Sequence, residues 1–175
     1  MNLFLLSWDP TECAQWHCDK HVVKMILELV QMLYTAWHLN NSYVPSCAPL
    51  CKSTGNRGYR KLSNPNHPMA KWVRESLWNY TFTIKLAAAL CLEFKHRYSH
   101  YHGCTEHVLW LAKHVPGFDN TEQTQIPQCM PDKYKVACPL QAYRNYYMGD
   151  KVAFASWSKR PEPVWWKPLL INQLL

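Results

Sequence analysis

Hydrophobic residues recur along most of this chain at steps of three and four, the spacing of one face of an α-helix, and no stretch alternates as a strand would. The first such pattern opens at Asp9-Pro10-Thr11-Glu12. There a capping side chain precedes a first-turn proline and an acid, and the helical period continues to about His38. A second opening, Asn66-His67-Pro68, leads into a long helix from Met69 to about Tyr98, on which Trp72, Val73, Leu77, Tyr80, Ile84 and Leu86 keep the period. A shorter helix is predicted from Thr105 to His114, stopped by Pro116-Gly117. A last one starts at Pro139 and ends near Ser158, before an aromatic tail over Pro161 to Pro168. Residues 40 to 66 and 115 to 139 lack a period and carry the turn-forming residues, so both read as long loops. The expectation is an all-α fold: residues 1–175 as one compact helical domain, a bundle of three long helices with short helices and long loops.

On the first predicted helix the polar positions His17, His21, Lys24, Glu28, Gln31 and Thr35 fall within a narrow arc. Val22, Val23, Ile26, Leu27, Leu29, Val30, Leu33 and Tyr34 occupy much of the remaining girth. A helix so apolar is mostly buried, and its single polar stripe either lines a cleft or is an ordinary solvated face. Two chemistries fit the stripe. Glu28, one turn from Lys24 and two from His21, is a carboxylate able to move a proton or stabilise a developing cation. Alternatively Cys13, His17 and His21, at steps of four, form a one-faced metal site.

Composition narrows the partners. Nineteen Lys and Arg against twelve Asp and Glu give +7, a balance drawn to phosphate polyanions, anionic membranes or acidic proteins. Nine Trp and ten Tyr, several beside a cation, supply stacking faces and favour nucleic acid. Arg144, Tyr147 and Lys151 share one predicted helical face, and Arg74 with Asn79 lies near Trp78; Lys20 adds a cation on the first helix, and Lys52, Arg57, Arg60 and Lys61 make the first long loop basic. His96, His100, His102 and His107 form a second histidine group, suited to a helix C-terminus or a metal. Trp157, Trp165 and Trp166 either cap the core or act as a wedge between bases. Eight irregularly spaced cysteines in a chain of this length read as free thiols, and the opening Met1 to Trp8 lacks the pattern of a signal peptide. No apolar run approaches the ~20 residues needed to span a bilayer. The expectations are a cytoplasmic, reduced, soluble monomer that binds nucleic acid, DNA ahead of RNA, with no membrane association and no cofactor.

The run Cys18-Asp19-Lys20-His21-Val22-Val23-Lys24-Met25-Ile26-Leu27-Glu28-Leu29 resembles the first-helix signature of the endonuclease V type of pyrimidine-dimer DNA glycosylase: Asp, any residue, His, two apolar residues, four more, then Glu-Leu. Asp19, His21, Val22, Val23, Glu28 and Leu29 match it, and Lys24 with Gln31-Met32-Leu33 matches related bacterial sequences. Asn66-His67-Pro68 with Trp72 resembles the superfamily's second-helix opening, and Arg160-Pro161 to Trp165-Trp166 its aromatic tail. The His-Cys-Asp-Lys-His run is also similar to an uncharacterised phage and virus family. The resemblance implies a compact all-α fold and base excision, in which an amine attacks the sugar C1′ with help from a glutamate, here Glu28, through an imine and without a metal. His21, two turns from Glu28 on the same stripe, is expected as its neighbour in the site. In those enzymes the amine is the α-amino group of a small residue exposed by removal of methionine and followed by arginine. This chain begins Met1-Asn2-Leu3-Phe4, and Leu27 and Gln31 stand where the family has first-helix arginines. Met1 then offers its own α-amine, with Lys24 or Lys20 as substitutes where burial depresses the ammonium's proton affinity. Two other functions stay open: a non-catalytic nucleic-acid-binding or virion-associated protein on the same scaffold, and a metal-dependent enzyme using Cys13, His17 and His21.

Overall fold

The computed structural model describes residues 2–40, 47–59 and 64–167. Six α-helices follow one another: α1 (Pro10–Trp16), α2 (Asp19–Asn40), α3 (Pro68–Glu75), α4 (Leu77–Tyr98), α5 (Thr105–Lys113) and α6 (Pro139–Asp150), with one 3-10 turn at Asp132–Tyr134. Among the described residues there is no strand, only an isolated antiparallel bridge between Leu50 and Arg57. The all-α expectation holds. The helix lengths differ from it, because both long predicted helices are broken and α6 stops short of Ser158.

The first break is chemical. His17 has extended backbone angles, and its Nδ1 lies 2.7 Å from the carbonyl of Cys13, the acceptor that a continuing helix would give to the His17 N–H. That N–H bonds the Ala14 carbonyl instead, Arg97 Nη2 donates to the Gln15 carbonyl at 2.9 Å, and Trp157 Nε1 donates to the Trp16 carbonyl at 3.0 Å. All four terminal carbonyls of α1 are therefore satisfied without another turn, two by His17 itself and two by the distant Arg97 and Trp157. The second break is built likewise. Ser76 caps α4 by accepting the Asn79 N–H, Asn79 Nδ2 takes the Trp72 carbonyl at 2.8 Å, and Leu77 N–H bonds the Asn120 carbonyl. Asn79, expected beside a phosphate, is fully buried in this role.

Helices α2 and α4 form the centre, and one hydrophobic cluster draws residues from all six helices, among them Ile26, Leu29, Leu33, Trp72, Tyr80 and Tyr143. The opening segment runs extended into it, with Leu3, Phe4, Leu5 and Leu6 buried in succession. A buried segment outside regular structure must find partners for its backbone. Asn2 N–H donates to Glu28, Cys13 Sγ bonds the Leu6 N–H and the Phe4 carbonyl, and Arg144 Nε donates to the Leu6 carbonyl at 3.0 Å. No helix among the described residues is long and apolar enough to cross a membrane.

Charge fixes the α1–α2 corner. The buried Arg97 guanidinium donates to Glu93 at 2.7 Å and to Asp19 at 2.8 Å, and Arg160 forks onto the other side of Glu93. Asp19 also accepts the Ser158 N–H and the hydroxyls of Ser156 and Ser158, which docks the segment after α6 onto the start of α2. Arg97→Ala is expected to cost about 3–5 kcal/mol, because it leaves buried carboxylates facing a void. Arg97→Lys should recover only part of this, since one ammonium cannot serve two carboxylates and a carbonyl in fixed directions. Denaturant unfolding midpoints check both.

Candidate active site

The polar stripe does not stay together. His17 lies outside α2 and is wholly buried, His21 and Thr35 are buried, and only Lys24, Glu28 and Gln31 in its middle face outward. Val23 and Leu27, expected in the core, are 41% and 37% exposed and flank Lys24 and Glu28 on the outward side of α2. With Lys24, Glu28 and Gln31 they form one wall of an open pocket of about 710 Å3, whose other side is Lys52, Ser53 and Tyr59 from the first long loop and His102 to Cys104 before α5. Of the two readings of the stripe, the cleft holds for these three residues.

Among the described residues that line the pocket, Glu28 is the one carboxylate. Its side chain is 12% exposed, its Oε2 accepts the Asn2 N–H at 2.7 Å, and its Oε1 lies 3.4 Å from Lys24 Nζ. Asn2 is itself anchored, with Nδ2 donating to the Cys129 carbonyl at 3.0 Å and Oδ1 accepting from the Tyr143 hydroxyl and the Leu3 N–H. Met1 lies outside the described residues. Burial lowers the proton affinity of His67 while the nearby Glu28 charge raises it, which places this imidazole within electrostatic reach of the carboxylate. His67 caps α3 by accepting the Met69 N–H at its Nδ1. The sequence offered His67 only as a helix opening and Asn2 only as the residue after Met1.

No family model, curated protein or solved structure matches this chain.

His21 is not a neighbour of Glu28 in the pocket. Its Nδ1 meets the Tyr147 hydroxyl at 2.7 Å, and its ring stacks on Phe4 with centroids 4.6 Å apart, beneath α6. Tyr147, expected as a stacking ring for a strand, is fully buried, and its hydroxyl also accepts the Cys18 N–H. Arg144 packs over the rings of Trp16 and Trp165 at 5.0 and 5.4 Å, and Lys151 is held by Asp150 and by the Tyr146 hydroxyl. The ladder of cation, ring and cation expected on α6 therefore faces the protein. Arg74 donates to the Pro65 carbonyl at 2.6 Å and borders an open surface depression with Lys71. Lys20 is exposed, with its ammonium 5.1 Å above the Phe154 ring. Lys52 is exposed on the pocket wall; Arg57 bonds the Ala48 carbonyl, and Arg60 and Lys61 lie outside the described residues. Trp157, Trp165 and Trp166 close over Trp16 and Tyr147 as a cap.

Cys13, His17 and His21 do not converge. The Cys13 thiol is tied to backbone at Phe4 and Leu6, the two imidazole centroids are 6.4 Å apart, and no group of three metal-binding side chains forms among the described residues. The second histidine group is likewise dispersed: His100 bonds the Tyr98 carbonyl, His102 accepts the Cys104 N–H, and His107 meets the Tyr34 hydroxyl at 2.9 Å.

Burial pushes His17 down to about 4 and His21 to about 3. Both rings are neutral in the folded protein, whereas the unfolded chain takes up protons near the ordinary value of about 6.5. Below that value the unfolded state binds the extra protons, so folding stability is lost as pH falls toward 4 and 3. The expected slope approaches about 1.4 kcal/mol per pH unit for each ring. Melting temperatures from pH 7.5 to 4.5 should fall accordingly, and His17→Gln should flatten the curve.

Proposed function

We propose that this chain is a DNA-binding protein of the base-excision kind, a glycosylase and abasic-site lyase acting on damaged or modified bases, with Glu28 as its working carboxylate. The observation that carries the reading is the 2.7 Å hydrogen bond from the Asn2 N–H to Glu28 Oε2, which holds the leading segment on a carboxylate that also lines an open pocket. Where Met1 bears a free α-amine, that nitrogen belongs to the residue next to Asn2. Lys24 Nζ is the other amine at the same group, 3.4 Å from Oε1, on a side chain that is 69% exposed, so the burial expected of a substitute amine is not met there. The amine attacks the sugar C1′ as the base departs, the sugar ring opens to an imine, and Glu28 accepts and returns the protons of these steps. Lys20, Lys24 and Lys52, exposed on α2 and the facing loop, supply charge for the phosphates.

A second reading, a nucleic-acid-binding protein without chemistry, is favoured by the Lys24–Glu28 pair, which occupies the candidate lysine with an ionic partner. Borohydride reduction on abasic-site DNA separates the two. A covalent adduct is expected, mapped by mass spectrometry to Met1 or Lys24, and Glu28→Gln should reduce it by roughly 10²–10⁴-fold while leaving DNA affinity intact. Salt-sensitive binding with no adduct, unchanged in Glu28→Gln, selects the second reading. Absence of both binding and adduct overturns both.

A further inference from the structure

The wall that α2 gives to the Glu28 pocket is ordered along its length in a way that excision chemistry alone does not require. Lys24, Glu28 and Gln31 follow one another at helical steps of four and three, so an ammonium, a carboxylate and a carboxamide stand in line on one face. From Lys24 to Gln31 the helix rises roughly 10 Å. Val23 and Leu27 run beside this line, 41% and 37% exposed, and give the same wall an apolar strip. Tyr59 stands at the Gln31 end. Its carbonyl lies 2.8 Å from His38 Nε2, further along α2, and its ring is 5.6 Å from that of Tyr34 and 5.1 Å from that of His107. The Tyr59 hydroxyl is held 3.6 Å from Cys104 Sγ at the start of α5, which fixes the ring on the wall opposite Leu27. Lys52, exposed on the facing loop, adds a second cation to the pocket.

We propose that the pocket holds one nucleotide unit, its base between Leu27 and Tyr59 with its polar edge on the Gln31 amide, its sugar opposite Glu28 and its phosphate at Lys24 and Lys52. The order of groups along α2 carries the assignment. A base has two apolar faces and a polar rim; Leu27 and Tyr59 supply the faces, and a carboxamide offers a donor and an acceptor side by side for the rim. The phosphate needs a cation one sugar away from that amide, and the roughly 10 Å between Gln31 and Lys24 is the span from base edge to phosphate within one nucleotide. The reverse orientation sets the base edge against two ammonium groups and leaves the phosphate at an uncharged amide. The Lys24 side chain, 69% exposed and 3.4 Å from Glu28, is long enough to turn toward an anion at the pocket mouth. It is then the cation of the phosphate rather than the attacking amine. At about 710 Å3 the cavity has room for the whole unit. The inference rests on the nucleic-acid reading of this pocket and deepens it, because it sets the sugar C1′ at the carboxylate to which excision chemistry is assigned. Such a unit reaches the pocket either swung out of a strand or as a free mononucleotide.

The test is photocrosslinking of the whole protein with iododeoxyuridine monophosphate, whose base bonds to an adjacent aromatic ring on irradiation, offered both free and as one residue of a DNA duplex. Digestion and mass spectrometry locate the adduct. The expected product is a crosslink at Tyr59, suppressed by thymidine monophosphate at a concentration roughly tenfold below that needed of thymidine, which lacks the phosphate. Lys24→Ala should erase that difference. Gln31→Ala should raise the half-suppressing concentration roughly fivefold, and Leu27→Trp, which fills the slot from a partly exposed position, should abolish the crosslink. A crosslink from the duplex assigns the unit to a strand; one from the free monophosphate alone assigns it to the free pool. No crosslink at Tyr59, or one that thymidine and its monophosphate suppress equally, overturns the site, and the wild-type result decides this even if a variant fails to fold. A borohydride adduct without a Tyr59 crosslink leaves excision standing and removes this site, whereas a Tyr59 crosslink without an adduct does the reverse.

Discussion

A buried guanidinium is among the costliest groups a core can hold, and Arg97 is held because every direction of its fork is met. Glu93 is one turn back on the same helix, Asp19 begins the neighbouring helix, and the Gln15 carbonyl lies in the last turn of the one before it. Such a group stabilises one arrangement and penalises every other, since displacing any partner strands a charge away from water. The corner between α1 and α2 follows from it. So does the docking of the segment after α6, because Arg160 completes Glu93 and the Ser156–Ser158 stretch completes Asp19. Burial would raise both carboxyls, but these donors outweigh it and hold them below the usual carboxylate range, in keeping with their structural use.

The pocket depends on that corner. Turning the chain at His17–Cys18 sends His17 and His21 inward, where Phe4 and Tyr147 receive them, and leaves the next turns of α2 to show Lys24 and Glu28 to the outside. The opening segment then lies between α2 and α6 and delivers Asn2 to Glu28. One carboxylate is thereby joined to the Asn2 backbone, to a lysine of its own helix and to a cavity whose opposite wall is Tyr59 and the loop before α5.

Much of the architecture was legible in the residues. The proline-led openings at Pro10, Pro68 and Pro139 and the short α5 stand where turn chemistry put them, because capping and first-turn proline act locally. The breaks at His17–Cys18 and Ser76 were not legible. The apolar period continues across each, and what interrupts the helix is a side chain taking a backbone carbonyl, with partners such as Asn120 and Arg97 from distant sequence. The same blindness affected the site. Glu28 was singled out from the helical arc and lies on a pocket, but His21, Tyr147 and Arg144, which carry equally suggestive chemistry, serve the core. Periodicity cannot separate a polar residue that faces water from one that bonds a buried partner. Nor could spacing have brought Asn2 to Glu28.

Asp19 and its Ser158 partner are separated by 139 positions. A ribosome makes the chain from the amino end, so the start of α2 leaves it long before the hydroxyls and N–H group that complete its first carboxylate. Until the stretch after α6 emerges, Asp19 lacks its hydroxyl and N–H donors, and the three-indole cap has not arrived. Maturation of the first helical corner is therefore deferred until the stretch after α6 has been made, and a transcript cut short after α6 would yield a nascent protein whose opening turn was never finished.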